Sequence, residues 1–289
     1  MTSSLQGKES TSVMGEAWKR FRKHKLAMAS LVILLLLSLA AIFAPQLTPY
    51  EFNGQDFTII GRPTPPSMQH LMGTDHLGRD IATRVLYGAR VSLMVGLLSA
   101  LVATVLGTAI GALAGYFGRL TDNVLMRFTD MVLSIPLLPL VIVIAGLLRP
   151  SLYLLVLIIG VLGWMGTARL VRSQFLALRG QDFVEASRAL GGKSFRIMFL
   201  HMLPNALGPI LVSTTLSVGS AILLESALSF FGFGVQPPTP TWGNLLSSSR
   251  EWLDVAPWVA TFPGLFILVT VLAVNFLGDG LRDAFDPRT

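Results

Sequence analysis

The sequence predicts an all-α integral membrane protein with six transmembrane helices and both termini in the cytoplasm. Three observations support this. Hydrophobic residues make up 52% of the 289 residues and charged ones only 13%, with a mean hydropathy of +0.65; soluble domains are about a quarter charged. Several apolar runs approach the ~20 residues that span a hydrocarbon core. Basic residues are dense in alternate segments between those runs, as in cytoplasmic loops.

Residues 1–25 form a basic cytoplasmic segment ending in "WKRFRKHK" (18–25). The first apolar run, "LAMASLVILLLLSLAAIFA" (26–44), follows it. A basic flank before an apolar run also describes a signal peptide. This run is long enough to span, and Pro45 suits a cleavage site badly, so it reads as an uncleaved first helix. Residues 45–90 form a long, polar external loop, in which "RPTPPS" (62–67) excludes regular helix or central strand. At its end Leu77, Ile81 and Val85 recur every four residues, which predicts an amphipathic helix lying at the interface. A five-helix core at 91–278 follows, with spans at 91–116, 126–148, 152–170, 205–231 and 257–277. It includes a cytoplasmic loop at 171–204, and 279–289 is a cytoplasmic tail.

Charge placement agrees with this topology. The inside segments hold Lys8, Lys19, Arg20, Arg22, Lys23, Lys25, Arg119, Arg127, Arg169, Arg172, Arg179, Arg188, Lys193, Arg196, Arg282 and Arg288. The outside segments hold only Arg62, Arg79, Arg84, Arg90, Arg149 and Arg250. The net charge of +6 therefore reflects cytoplasmic loops and implies no nucleic-acid partner. Arg79, Arg84 and Arg90 cluster on the unfavoured side. Gly107, Gly111 and Gly115 recur every four residues in the second span, which allows close approach of a neighbouring helix.

The absence of cysteine excludes disulfides and thiolate metal sites, and the four histidines lack helical ligand spacing. His70 and His76 share the external loop without a clear third ligand, so no metal site is assigned.

Gly192-Lys193-Ser194 resembles the end of a P-loop, but Ser187 stands where its first glycine belongs, and no buried strand precedes it. ATP binding by this chain is excluded. The stretch predicts a short helix over 181–190, stopped by Gly191-Gly192, and a second over 193–203 that ends at Pro204.

"EASRALGGKSFRIMFLHMLP" (185–204) is similar to the cytoplasmic loop signature of the membrane subunits of ABC importers. Glu185, Ala186, Gly191, Leu203 and Pro204 match at the signature's spacing. Ser187 replaces its second alanine, and His201 replaces an isoleucine, as in the peptide-importer branch. "GTDHLGRDIATRVLYGARVSL" (73–93), "LSFFGFGVQPPTPTWGNLL" (228–246) and "FPGLFILVTVLAVNFLGDGLRDAFDPR" (262–288) resemble segments of dipeptide, oligopeptide and nickel importer permeases. Thr241 departs from the acidic residue of many members, so that position carries no assigned role. The extra N-terminal span resembles the "C"-type permease of the pair.

The resemblance implies a type I ABC importer permease in a bacterial or archaeal plasma membrane. It implies a sister permease, two ATPase subunits that carry ATP and magnesium, and an external substrate-binding protein. This chain then binds no cofactor and has no active site. Glu185, Ala186, Ser187, Gly191, Leu203 and Pro204 would form the ATPase-coupling loop. Arg188, Lys193 and Arg196 either pair with acidic ATPase groups or simply mark the cytoplasmic side.

Glu225, an ionisable residue within a span, either lines the pathway or bonds across helices. Asp130 is expected to pair with Arg127 at helical spacing, Asn275 to bond a neighbouring helix, and Pro136 and Pro139 to kink the third span. Peptides are the expected substrate. Nickel import by the same family is the alternative. An ion-gradient transporter would show paired repeats with broken helices, and a lipid-acting enzyme would show a catalytic cluster. The sequence has neither.

Overall fold

The structure, a computed structural model, describes residues 13–148 and 151–285. Lys8, Arg149 and Arg288 of the charge pattern lie outside the described residues. Helix α1 (Val13–Phe21) leads to α2 (Lys25–Ile42) and the short α3 (Ala44–Leu47). After an irregular segment comes α4 (Ile81–Phe117). Next are α5 (Arg119–Leu133), α6 (Leu137–Leu148), α7 (Leu152–Val161), α8 (Met165–Arg179), α9 (Asp182–Ala189) and α10 (Ser194–Arg196). A π-helical stretch, Ile197–Met202, joins α10 to α11 (Leu203–Phe230), and α12 (Trp242–Ser248) and α13 (Trp258–Phe285) complete the chain.

Four helical runs are long and apolar enough to cross a membrane alone, and there are up to six spans if each bent pair counts as one. One pair is α5 with α6, bent by 79°, and the other is α7 with α8, bent by 43°. The proline-induced kink is thus a sharp break at 134–136. Pro136 ends α5's run, and Pro139 sits in the first turn of α6, where its missing N–H costs nothing.

Helix α4 starts at Asp80, whose carboxylate accepts from the Thr83 amide at 2.7 Å. Its 37 residues span about 55 Å at 1.5 Å per residue, well beyond the ~30 Å hydrocarbon core. The separate interfacial helix expected before the second span is therefore the first turns of that same helix. Ile81 and Val85 do form an apolar face, but Trp242, Ala256 and Val259 cover it rather than headgroups. Arg90 donates to the carbonyls of Ala41 and Ile42 at the end of α2, a favourable place for a cation.

The glycine stripe packs as expected. A Cβ on Gly107 would meet the Trp164 carbonyl at 2.7 Å, and one on Gly111 the Ala168 carbonyl at 2.4 Å. One on Gly115 would meet the Phe175 Cβ at 2.6 Å. The partner numbers rise together, so α4 and α8 run parallel, as second and fourth spans should. The contacts of α11 with α13 run the other way: Gly208 faces Phe285, and Gly278 faces Leu216.

Asp130 pairs with Arg169 of α8 rather than with Arg127, and Asp122 pairs with Arg172. With Phe128 stacked on Trp164, these two pairs set α5 against α8. Asn275 makes no side-chain hydrogen bond to another helix among the described residues; its Oδ1 faces Gly219, 3.6 Å from where a Cβ would stand.

The bundle separates two layers. In one, Trp242 Nε1 donates to the Val85 carbonyl, Trp258 Nε1 to Thr74 and the Arg84 guanidinium to Phe52. Asp75 takes Arg79 Nε at 2.7 Å there, and Arg84 lies 4.0 Å away. This internal pairing explains how two arginines sit against the basic bias. The opposite layer holds α1, the ends of α4, α8 and α13, and the segment 181–204.

Candidate functional site

The segment 181–204 is built from the inside outward. Val184, Ile197, Met198 and Met202 are fully buried with Phe175 and Tyr116. That cluster fixes α9 by one face. Asp182 and Glu185 occupy the first turn of α9, where carboxylates suit the free amides.

Helix α9 then stops in a Schellman arrangement. The Gly191 amide donates to the Arg188 carbonyl at 2.9 Å, and Gly192 to Ser187 at 2.9 Å. Gly191 adopts φ +79°, and a Cβ there would meet nothing within 4 Å. The requirement for glycine is therefore conformational, and the turn stands clear of the body. Leu190, beside it, is 89% exposed.

Glu185, Ala186, Arg188, Gly191, Lys193 and Arg196 are exposed, and Ser187 is half-buried. Ala186, Ser187, Gly191, Lys193 and Arg196 share one concavity of about 850 Å³, together with His201. Of the three candidate cations, Arg188 has an internal partner: its guanidinium lies 5.3 Å over the Tyr116 ring. Lys193 and Arg196 have no ion pair among the described residues. They give the concavity a positive rim.

Leu203 and Pro204 do not line it. Leu203 packs against the buried cluster beneath, and the helix does not end at Pro204 as the sequence suggests. It continues from Ser194 through to Phe230. A proline inside an α-helix clashes with the carbonyl four residues back. The wider π turn over Ile197–Met202 precedes Pro204, and π turns occur as single insertions at such irregular points. Asn205 Nδ2 donates to the His201 carbonyl at 2.6 Å. Tyr116 is the site residue that the sequence did not mark; its place beneath Arg188 depends on how the chain folds back.

Residues 107–289 match the family model described as the inner membrane component of binding-protein-dependent transport systems. The chain belongs to that family. The N-terminal part of this inner membrane component, residues 12–66, matches the N-terminal transmembrane domain of oligopeptide transport permease C. The whole chain is similar to a dipeptide transport system permease protein of Alkalihalophilus pseudofirmus, 45% identical over 94% of this chain and 89% of the relative. It is 41% identical to an oligopeptide transport system permease protein of Bacillus subtilis, over 97% and 92%. It is also 41% identical to a di/tripeptide transport system permease protein of Pseudomonas aeruginosa, over 96% and 93%. Among solved structures, a chain of the inward-facing MetNI methionine ABC transporter superposes with a TM-score of 0.57 at 18% identity, over 71% of this permease and 98% of that chain. It shares the fold. The permease is thus a multi-pass, all-helical ABC importer permease by fold and family.

Glu225 lies far from the concavity, roughly 30 Å along α11 from Pro204 at 1.5 Å per residue. It is fully buried. Ser229 Oγ donates to one carboxylate oxygen at 2.7 Å and Ser92 Oγ to the other at 3.2 Å. Ser92 Oγ in turn accepts from the Trp242 amide at 3.3 Å. Thr241 caps α12 in a reciprocal pair with Asn244. Glu225 thus sits in a junction of α4, α11 and α12, away from any open surface. His70 Nδ1 lies 2.9 Å from Asp80 Oδ1, and its ring stacks on Tyr50. His76 stacks on Trp252 instead, so the two loop histidines face different partners.

Proposed function

We propose that this chain is one of two permease subunits of an ATP-driven importer of peptides in a bacterial inner membrane. The observation that carries the reading is the exposed α9–Gly191 turn, held from beneath by Val184 and Met198 and open to an approaching surface. Its small face, Ala186 and Ser187, admits a groove wall closely. Lys193 and Arg196 supply unpaired cations for acidic groups of an ATPase subunit. Glu185 requires a polar partner once docked, because an unpaired buried carboxylate is costly. The peptide substrate rests on the names of the relatives.

In this reading ATP and magnesium sit on the partner subunits. ATP binding closes the ATPase pair and moves the turn of each permease. Because α9 is packed on Phe175 of α8 and on the root of α11, the displacement passes directly to two spans. The permease then shifts between inward-open and outward-open states, a two-state equilibrium biased by differential binding. An external binding protein delivers substrate to the layer that holds α12.

The test is ATP-dependent peptide uptake by proteoliposomes carrying the whole assembly. Gly191→Trp forces a bulky residue into a left-handed turn and should abolish both uptake and transport-linked ATP hydrolysis, with assembly in the membrane unchanged. Unchanged uptake would refute the coupling role. Uptake that persists without ATPase subunits would refute the ATP-driven reading itself.

A further inference from the structure

We propose that the elbow between α1 and α2, together with the last turns of α13, is a binding site for an anionic phospholipid. Helix α1 was not marked by the apolar runs, being only nine residues long. It folds because Ala17 and Phe21 bury one face against Ala284. What remains open between them is a recess of about 310 Å³, lined by Ala17, Trp18, Phe21, Leu281, Ala284 and Phe285. Every lining side chain is apolar. Trp18 is 53% exposed and stacks on Phe21 at 5.7 Å.

The same elbow concentrates cations. Lys19, Arg20, Arg22, Lys23 and Lys25 fall within seven residues. Lys19, Arg22, Lys23 and Lys25 are exposed and make no ion pair among the described residues. Among the described residues the nearby acids are Glu16 of α1 and Asp279 and Asp283 of α13, and the Asp283 carboxylate lies 3.6 Å from His24 Nε2. His24 also fixes the elbow by accepting the Ala27 amide at 3.1 Å.

A dry recess with an indole at its mouth takes a hydrocarbon chain. A cluster of four or more cations next to a spanning helix takes an anionic headgroup. Side by side, they match one molecule that carries both. A topological bias alone requires the charges but neither the recess nor the tryptophan. The position gives the site a consequence: Phe285 at the recess also packs on Gly208 near the start of α11, so a bound lipid buttresses the helix that leaves the segment 181–204. The inference needs only a membrane protein, not the coupling role.

The test is native mass spectrometry of the complete transporter, titrated with phosphatidylglycerol or phosphatidylcholine of identical chains. The wild type should retain phosphatidylglycerol preferentially. Lys19→Gln with Lys23→Gln should weaken that retention roughly tenfold, since each surface cation contributes appreciably to anionic-lipid binding. Leu281→Trp fills the recess with every cation intact and should also displace the lipid, which separates binding from any change in topology. Equal retention of the two lipids, or a phosphatidylglycerol preference that survives both variants, would overturn the site. So would loss of an ATPase subunit from the double variant with lipid occupancy unchanged, because the cations would then serve a protein.

Discussion

A buried carboxylate without a cation must be satisfied by hydroxyls, and Glu225 is: Ser92 and Ser229 each donate to it. Glutamine keeps an acceptor and a similar volume, so Glu225→Gln should leave the KM for peptide uptake unchanged. Glu225→Ala leaves the two serine hydroxyls without their acceptor, and should cost about 1–3 kcal/mol of stability in thermal unfolding of the purified complex. A raised KM for Glu225→Gln would instead place this residue on the pathway. The ion pairs divide similarly by burial. Arg169 and Asp130 are both more than half exposed, so Arg169→Ala should change stability by less than ~1 kcal/mol. Arg79 and Asp75 are nearly enclosed. Arg79→Ala removes the close partner of Asp75 but leaves Arg84 at 4.0 Å and two backbone amides, and should cost about 1–3 kcal/mol, seen as a lower melting temperature of the complex.

Among elements, the parallel pair α4 and α8 depends on the glycine stripe. Gly111→Val would place a Cβ 2.4 Å from the Ala168 carbonyl. It should force the helices apart at a cost of about 1–3 kcal/mol, read as a lower melting temperature of the complex. This stripe was legible in the sequence, because a four-residue repeat of glycine has one physical use in a span. The apolar runs of α2, α4, α11 and α13 were legible for the same reason, and so was the stop at Gly191. The angles of the breaks in the third and fourth spans were not: in the third a proline announces a bend without its angle, and in the fourth no proline marks the break at Leu162–Trp164. Nor was the passage of the helix through Pro204. A π turn is chosen by packing of Ile197, Met198 and Met202 under α9, and no local propensity encodes it. Helix α1 escaped because nine residues rely on α13 for their stability.

At the scale of the molecule, the permease is a bundle whose two faces carry different work. One layer ties α12 to α4 through Trp242 and α13 to the segment before α4 through Trp258, with the Asp75–Arg79 pair inside that segment. The opposite layer presents an exposed, hydrogen-bonded turn with two cations that make no ion pair among the described residues. The central claim is that an ATPase subunit covers that turn. The chain contains no cysteine, so Ala186→Cys provides a single reporter on α9, and Met68→Cys, 96% exposed in the other layer, provides its control. The decisive measurement is the rate of maleimide labelling at each site in the complete transporter and after the ATPase subunits are stripped away. The account predicts that Ala186→Cys is protected only while the ATPase subunits are bound, and that Met68→Cys labels equally in both. Equal labelling of Ala186→Cys with and without those subunits would contradict it.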